Sequence, residues 1–442
     1  MSRIRSLFIA CVLAGVTLTL QASQERFERA ENRTLRYQGG RITVENSFGE
    51  VNIHDGGGNE VEVHAIVRAS SQELLKSIHV GIANSAAGIT IKSEYPQSMH
   101  NASFSVEYDI AVPPAAPVSV KNRFGSTSVV GMRGAVDVNS RQGSVSVHDV
   151  AGSPKIENAF GSIDVQDVRG DLVVRNANGS IEVSSVHGAV DVSSRFGSVE
   201  ISDIGKSLIV RNANGSVRVN NVRAATTIEN SFATVQVTEI GGPLIVTAQN
   251  AKVTAGGIRG PANITTTFAP IEVYGVKGPA KISGSNGNIK VSDIAGPLSI
   301  DNRFGLVTAT EIRGNVDVDN ENGGVTLKEI AGNAKIRTSF GPVLIKDVHG
   351  GIDVENQNGS IAADAAGPCH DLHLQTSFGT IKAGLGTGGY TVNARTTFGE
   401  VSSDLPLANM HSTGETLTGT LGDGRCKADL VNANGNITIE KD

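Results

Sequence analysis

The chain has 442 residues, 52 of them Gly and none Trp, and a formal net charge of −6. Hydrophobic residues make up 39% but aromatics only 4%, so the apolar content is mostly Val, Ile, Leu and Ala: too high for a disordered chain and too poor in rings for an ordinary globular core of this length. Thirty-eight Lys and Arg against 44 Asp and Glu argue against a long basic surface for nucleic acid.

Residues 1–23 read as a secretory signal peptide. Arg3 and Arg5 form a positive start, Leu7 to Leu20 is apolar but short for a bilayer, and Ala22 and Ser23 offer a cleavage site. Cys11 follows too little apolar sequence for a lipoprotein signal, and no other stretch reads as a membrane-crossing helix. Cleavage leaves Cys369 and Cys426, and an export compartment permits a disulfide between them.

Residues 24–121 are irregular. Strand-like runs at Val61–Val67 and Ser103–Val112 flank a short helical stretch at Ser71–Lys76. This segment is expected to form an N-terminal cap and the first irregular coils, because a bare sheet edge invites aggregation. It holds one early copy of a later motif, Asn46-Ser47-Phe48-Gly49.

Residues 122–382 are a strict array. A turn of the form N-x-F-G or N-x-N-G recurs with its last residue at Gly125, Gly143 and Gly161, and so on through Ala233, Ala251 and Ala269 to Gly341 and Gly359, always eighteen residues apart. Two short runs of alternating apolar and polar residues lie between successive turns, the period of a half-buried strand. Val and Ile line up two and thirteen positions after each anchor, as in Ile163, Ile181 and Val199, or Val174, Val192 and Val210. A fixed period without insertions means that each unit stacks on the one before. The pattern predicts an all-β, parallel β-solenoid, a single-stranded β-helix with one coil per eighteen residues and about 4.8 Å between coils. A chain of antiparallel hairpins shares the Asn-Gly signal but does not require identical turn lengths.

The residue before the anchor alternates between Phe (124, 160, 196 and onward to 340) and Asn (178, 214 and onward to 358). A thirty-six-residue coil would also fit this alternation, but Val and Ile fill a thin core better than a wide one. Phe is expected to plug the core at a corner, and Asn to tolerate a left-handed turn or to ladder with its neighbours. Residues 383–442 lose the strict period and read as irregular C-terminal coils and a cap. In register, Cys369 and Cys426 lie three units apart, about 14 Å, whereas a disulfide needs Cα atoms within about 7 Å. Bonding therefore requires the C-terminal cap to fold back.

The run Ser105-Val106-Glu107-Tyr108-Asp109-Ile110-Ala111-Val112-Pro113, leading into Val118–Gly125, resembles the bacterial "putative adhesin" domain family, as do Gly419–Gly424 and Asn432–Ile439 near the end. Its members carry a V-P step followed by G-x-V-x-V and V-x-G turns. The resemblance implies a β-solenoid, wound to the right, in exported or envelope-associated proteins. It transfers no catalytic residue, and this chain departs from the family in the length and regularity of its array.

One surface feature is regular. Acids recur six positions after the anchor, at Asp149, Asp167, Asp203, Glu239, Asp293, Glu311, Glu329 and Asp347. Bases recur eight positions after it, at Arg133, Arg169, His187, Arg223, Arg259, Lys277, Arg313 and His349. Stacking makes these two adjacent columns of opposite sign. They form either a ribbon for charged glycans or lipopolysaccharide, with Arg133, Arg169, Arg223, Arg259, Lys277 and Arg313 as its cations, or a mutually neutralising edge that keeps the solenoid soluble.

Signs of catalysis are weak. Carboxylates are spread by repeat, no long loop walls a cleft between 125 and 359, and no G-x-S-x-G elbow or phosphate loop is present. Cys369-His370-Asp371-Leu372-His373 is the best cluster for a metal, but on a strand the two His would face opposite sides. No cofactor or metal is expected. The reading is an exported, non-enzymatic β-solenoid of the cell envelope or surface with an adhesin-like binding or structural role. Its partners would be glycans or envelope and surface proteins, with no nucleic acid and no transmembrane span after cleavage. The alternatives are a periplasmic scaffold or envelope-stress protein and, last, a polysaccharide-active enzyme.

Overall fold

The structure, a computed structural model, describes residues 27–96, 102–365, 367, 369–386 and 388–441. The proposed signal peptide lies outside them.

One coil shows how the rest are made. In Ile163–Val168, Ile163, Val165 and Val168 point inward. Two outward residues, Gln166 and Asp167, separate the last two because Asp167 is left-handed, with φ 56°. The same φ recurs at Asp149, Asp203, Glu239, Asp293, Glu311, Glu329 and Asp347, so the acidic column follows the backbone. Asp and Asn tolerate that region better than most residues, and Ser185, Asn221, Gly257 and Gly275 fill it in other coils. The next strand, Leu172–Asn178, buries Leu172, Val174 and Asn176. The chain then turns at Gly179, with φ +125°.

Stacking is parallel and in register. Ile163 pairs with Ile181 and Ile181 with Val199 in one ladder; Leu172 pairs with Val190 and Val190 with Leu208 in the other. Through the regular array, from the Val118–Val136 pair to the Val343–Ile361 pair, the partner residue is eighteen further on, so the coil is eighteen residues and not thirty-six. β-branched side chains stacked on themselves fill the thin core.

The anchor glycine is required by space as well as by φ. A Cβ on Gly179 would lie 2.2 Å from the carbonyl oxygen of Gly161 in the coil below. We expect Gly179→Ala to lower unfolding free energy by at least about 2 kcal/mol, read as an earlier urea midpoint; an unchanged midpoint would refute the account. The chain carries its own exceptions. Ala replaces the anchor at 233, 251 and 269; at the first two Thr226–Ile240 and Leu244–Ile258 each run through the corner as one strand of 15 residues.

Both ends depart from sequence order. Arg41–Phe48 lies between Gly88–Glu94 and Val118–Phe124, and Val51–Asp55 between Phe104–Val112 and Thr127–Val130. The first coil of the chain is thus held inside the stack. At the other end Cys426–Asn434 lies between Leu372–Phe378 and Tyr390–Phe398, and Ile437–Lys441 between Ile381–Leu385 and Val401–Ser403. The last coil of the chain is the second-to-last of the stack. This is the fold-back that a disulfide demanded: it makes the coils of Cys369 and Cys426 neighbours, with Cα atoms 5.8 Å apart and the sulfurs bonded.

Antiparallel strands cover the outer edges. Phe27–Arg36 pairs with Glu60–Ala69 and His79–Ser85 with Gly88–Glu94 at one end; Thr416–Leu421 pairs with Tyr390–Phe398 at the other. The helix Gln72–Ser77 starts at Ser71, whose side chain accepts from the Leu74 amide. Arg29 donates to the carbonyls of Leu75 and Ile78 at its end. A buried network fastens this cap: Ser93 and Tyr95 donate to Asn46 Oδ1 at 3.0 and 2.8 Å, and Ser93 meets the Tyr108 hydroxyl at 2.7 Å. Burial pushes the Tyr95 and Tyr108 hydroxyls above their ordinary range, so the network stays neutral.

Candidate binding edges

Three columns of side chains run along the solenoid, and the corner at the anchor glycine produces two of them. Three residues before the glycine, Asn points inward. Asn176 Nδ2 donates to the carbonyls of Gly179 (3.2 Å) and of Gly161 in the neighbouring coil (3.0 Å). Asn158, Asn212, Asn320 and Asn356 do the same, wholly or in part. The amide tethers the corner of one coil to the next, satisfying carbonyls that the turn leaves free. This buried ladder was legible as the first letter of N-x-F-G, but nothing in the sequence said that the letter points inward.

The corner then leaves two successive residues outside, 177 and 178 in this coil. Phe at that second position is therefore on the surface. Phe124, Phe160, Phe196, Phe232, Phe268, Phe304, Phe340, Phe378 and Phe398 are 38–70% exposed. The expectation that they plug the core is wrong, because alternation stops at the corner and Val and Ile already fill the interior. The Asn residues of this column are not left-handed; the glycine after Asn178, Asn214, Asn322, Asn358 and Asn434 is. Asn178, Asn214 and Asn358 reach a carbonyl of the previous coil at 3.4–3.5 Å.

The third feature is the charged ribbon. Arg133, Arg169, Arg223, Arg259, Lys277 and Arg313 all lie exposed on one edge. Of these six, only Lys277 forms an ion pair, with Asp293 at 3.4 Å; in the same columns His349 lies 3.4 Å from Asp347. The five arginines make no ion pair among the described residues. Pairing occurs instead on the outer face of the longer strands, as in Arg175 with Asp191 (3.0 Å) and Arg303 with Glu321 (3.4 Å).

Two grooves lie on the same strand face. One, of about 530 Å³, has Ala159 and Ala177 as its floor between Arg141 and Arg195. The other, of about 510 Å³, is apolar and lined by the stacked Pro243, Pro261, Pro279 and Pro297 with Ile245. His370 and His373 do not face opposite sides: the strand starts only at Leu372, so alternation does not apply to His370, and both line a groove of about 670 Å³. His373 pairs with Asp429 at 3.4 Å. Among the described residues no three His, Cys, Asp or Glu side chains are placed to hold a metal ion, and no helix is long and apolar enough to cross a membrane.

No curated protein matches this chain. Among solved structures, a "putative cell adhesion protein" from Clostridium sporogenes aligns over 94% of this chain and 100% of its own, at 8% identity and a TM-score of 0.18. A "putative adhesin" from Parabacteroides merdae aligns over 66% of this chain and 96% of its own, at 13% identity and a TM-score of 0.17. Both scores fall well short of a common superposition. Residues 277–440 match the Toastrack DUF4097 domain family, in line with the resemblance read from the sequence.

Proposed function

We propose that this chain is an exported, non-enzymatic, adhesin-like protein of the cell envelope or surface that binds through the long edges of its solenoid. The observation that carries the reading is the period itself: it holds from Gly125 to Gly359, so exposed side chains recur at fixed places along each edge, Phe in every second coil and a cation in about half of the coils of the basic column, with no long loop between them. Such a surface suits a long ligand bound by many weak, equal contacts. The arginine column fits an anionic glycan. Arg169→Ala/Arg259→Ala/Arg313→Ala is expected to lower retention on an anionic polysaccharide column at least tenfold at low salt and to leave the melting temperature unchanged. Equal retention would remove the ribbon from the proposal.

Location is tested by protease treatment of intact cells carrying an epitope-tagged chain with an engineered cleavage site beside the tag. Cleavage with a periplasmic marker intact supports a surface adhesin. Protection until the outer membrane is opened supports the second reading, a periplasmic scaffold for envelope proteins, which the apolar Pro243–Pro297 groove and its exposed Ile245 favour.

A further inference from the structure

The Phe and Asn column alternates in space, not in sequence. In chain order the last three members are Phe378, Phe398 and Asn434. The fold-back places Asn434 between the two rings, paired in register with both. The alternation Phe160, Asn178, Phe196, Asn214, Phe232 thus continues to the last coil. Packing does not demand it. Phe48 and Phe124 occupy adjacent coils of the same column and stack with centroids 5.1 Å apart and planes within 4°. A ring in every coil is therefore tolerated, and beyond Phe124 every second place is left to a smaller side chain. Successive rings lie about 9.6 Å apart, which leaves room for one more ring between them at the spacing seen for Phe48 and Phe124.

We propose that this edge binds a second copy of the chain, antiparallel, with the rings of each copy seated over the Asn residues of the other. Symmetry selects the direction. A two-fold axis along the solenoid would set every coil opposite its own copy, Phe against Phe. A two-fold axis across it, passing between two coils of the neutral third, sets each Phe from Phe124 to Phe378 opposite an Asn or Gln142 and closes the pair. Charge agrees. At the two outward strand positions beside the column, residues 121–231 carry six basic and two acidic side chains, residues 247–285 none, and residues 301–357 two basic and four acidic. Reversal brings the basic third over the acidic third and places the axis in the neutral one. On its other side the column is flanked up to residue 216 by the anchor glycines and by Ser126, Ser144, Ser162, Ser180, Ser198 and Ser216, and beyond it by larger residues such as Lys252, Pro270 and Leu306. Nine half-exposed rings at about 200 Å² each supply roughly 900 Å² per copy, close to the ~800 Å² of a standard interface.

The test is sedimentation of the purified chain at about 10 μM, beside Phe196→Asn/Phe232→Asn/Phe268→Asn/Phe304→Asn. Asn is a residue the column already accepts, so the variant should melt with the parent. A parent mass near twice that of its own chain and a variant at one times that value support the proposal. A monomeric parent overturns it, as does a dimer that survives all four changes. If the monomeric parent instead binds a neutral polysaccharide and loses that binding in the variant, the edge is a glycan site. Direction is read from spin labels, with Cys11 changed to Ser. Labels at Lys252→Cys should lie close across the pair and labels at Ser144→Cys about 60 Å apart. Short distances at both would mean a parallel pair and would refute the antiparallel arrangement.

Discussion

Asn320→Asp is expected to cost about 3–5 kcal/mol of stability, far more than its one-atom change suggests. Asn320 is 0% exposed. Its Nδ2 donates to the carbonyls of Gly305 at 3.2 Å and Gly323 at 2.9 Å, and its Oδ1 accepts from Asn302 at 3.1 Å. A carboxylate at this place would point an anionic oxygen at two carbonyl oxygens and bury an unpaired charge. Asn320→Ala removes the same donors without adding charge and should cost about 1–3 kcal/mol. The pH dependence separates the two. Burial raises the folded-state pKa of the introduced Asp above its unfolded value, so its penalty is full above the folded pKa and shrinks as pH falls and the acid protonates. Urea unfolding at pH 7 and pH 4.5 measures this; equal losses in both variants at both pH values would refute the tether account.

Breaking the Cys369–Cys426 bond, as Cys369→Ser/Cys426→Ser, is expected to cost about 4 kcal/mol by the chain-entropy estimate for its 57-residue separation. The loss should be local. In a stacked array each coil contacts only its neighbours, and the bond holds the C-terminal coil that enters the stack out of order. Hydrogen exchange should therefore quicken in Cys426–Asn434 and Ile437–Lys441 while Leu172–Asn178 keeps its protection. Uniform loss along the chain would mean that the solenoid unfolds as a single unit.

Much of this architecture is legible in the residues. The eighteen-residue spacing of Ile163, Ile181 and Val199 names the pairs that the register contains. The short helix near Ser71–Lys76 and the strands around Val61–Val67 and Ser103–Val112 were likewise readable, and they appear as Gln72–Ser77, Glu60–Ala69 and Phe104–Val112. The acidic and basic columns were visible too, as either a ligand ribbon or a mutually neutralising edge. In the fold the acids sit where the backbone turns left-handed, and most of the arginines stand apart from them. The Phe column was seen and placed on the wrong side, since periodicity does not say at which residue a corner ends the in–out alternation.

Coil length, parallel stacking and the composition of the core were determined by the sequence alone, because each follows from contacts between residues a fixed distance apart along the chain. Two things were decided only by the tertiary structure. The corner geometry at each anchor glycine turned Asn176 inward and put Phe196 outside. The order of coils at the two ends, which slots Arg41–Phe48 and Cys426–Asn434 inside the stack, depends on pairing between strands far apart in sequence. That pairing carries no period, and it is what brings Cys369 to Cys426 and Asn434 between Phe378 and Phe398.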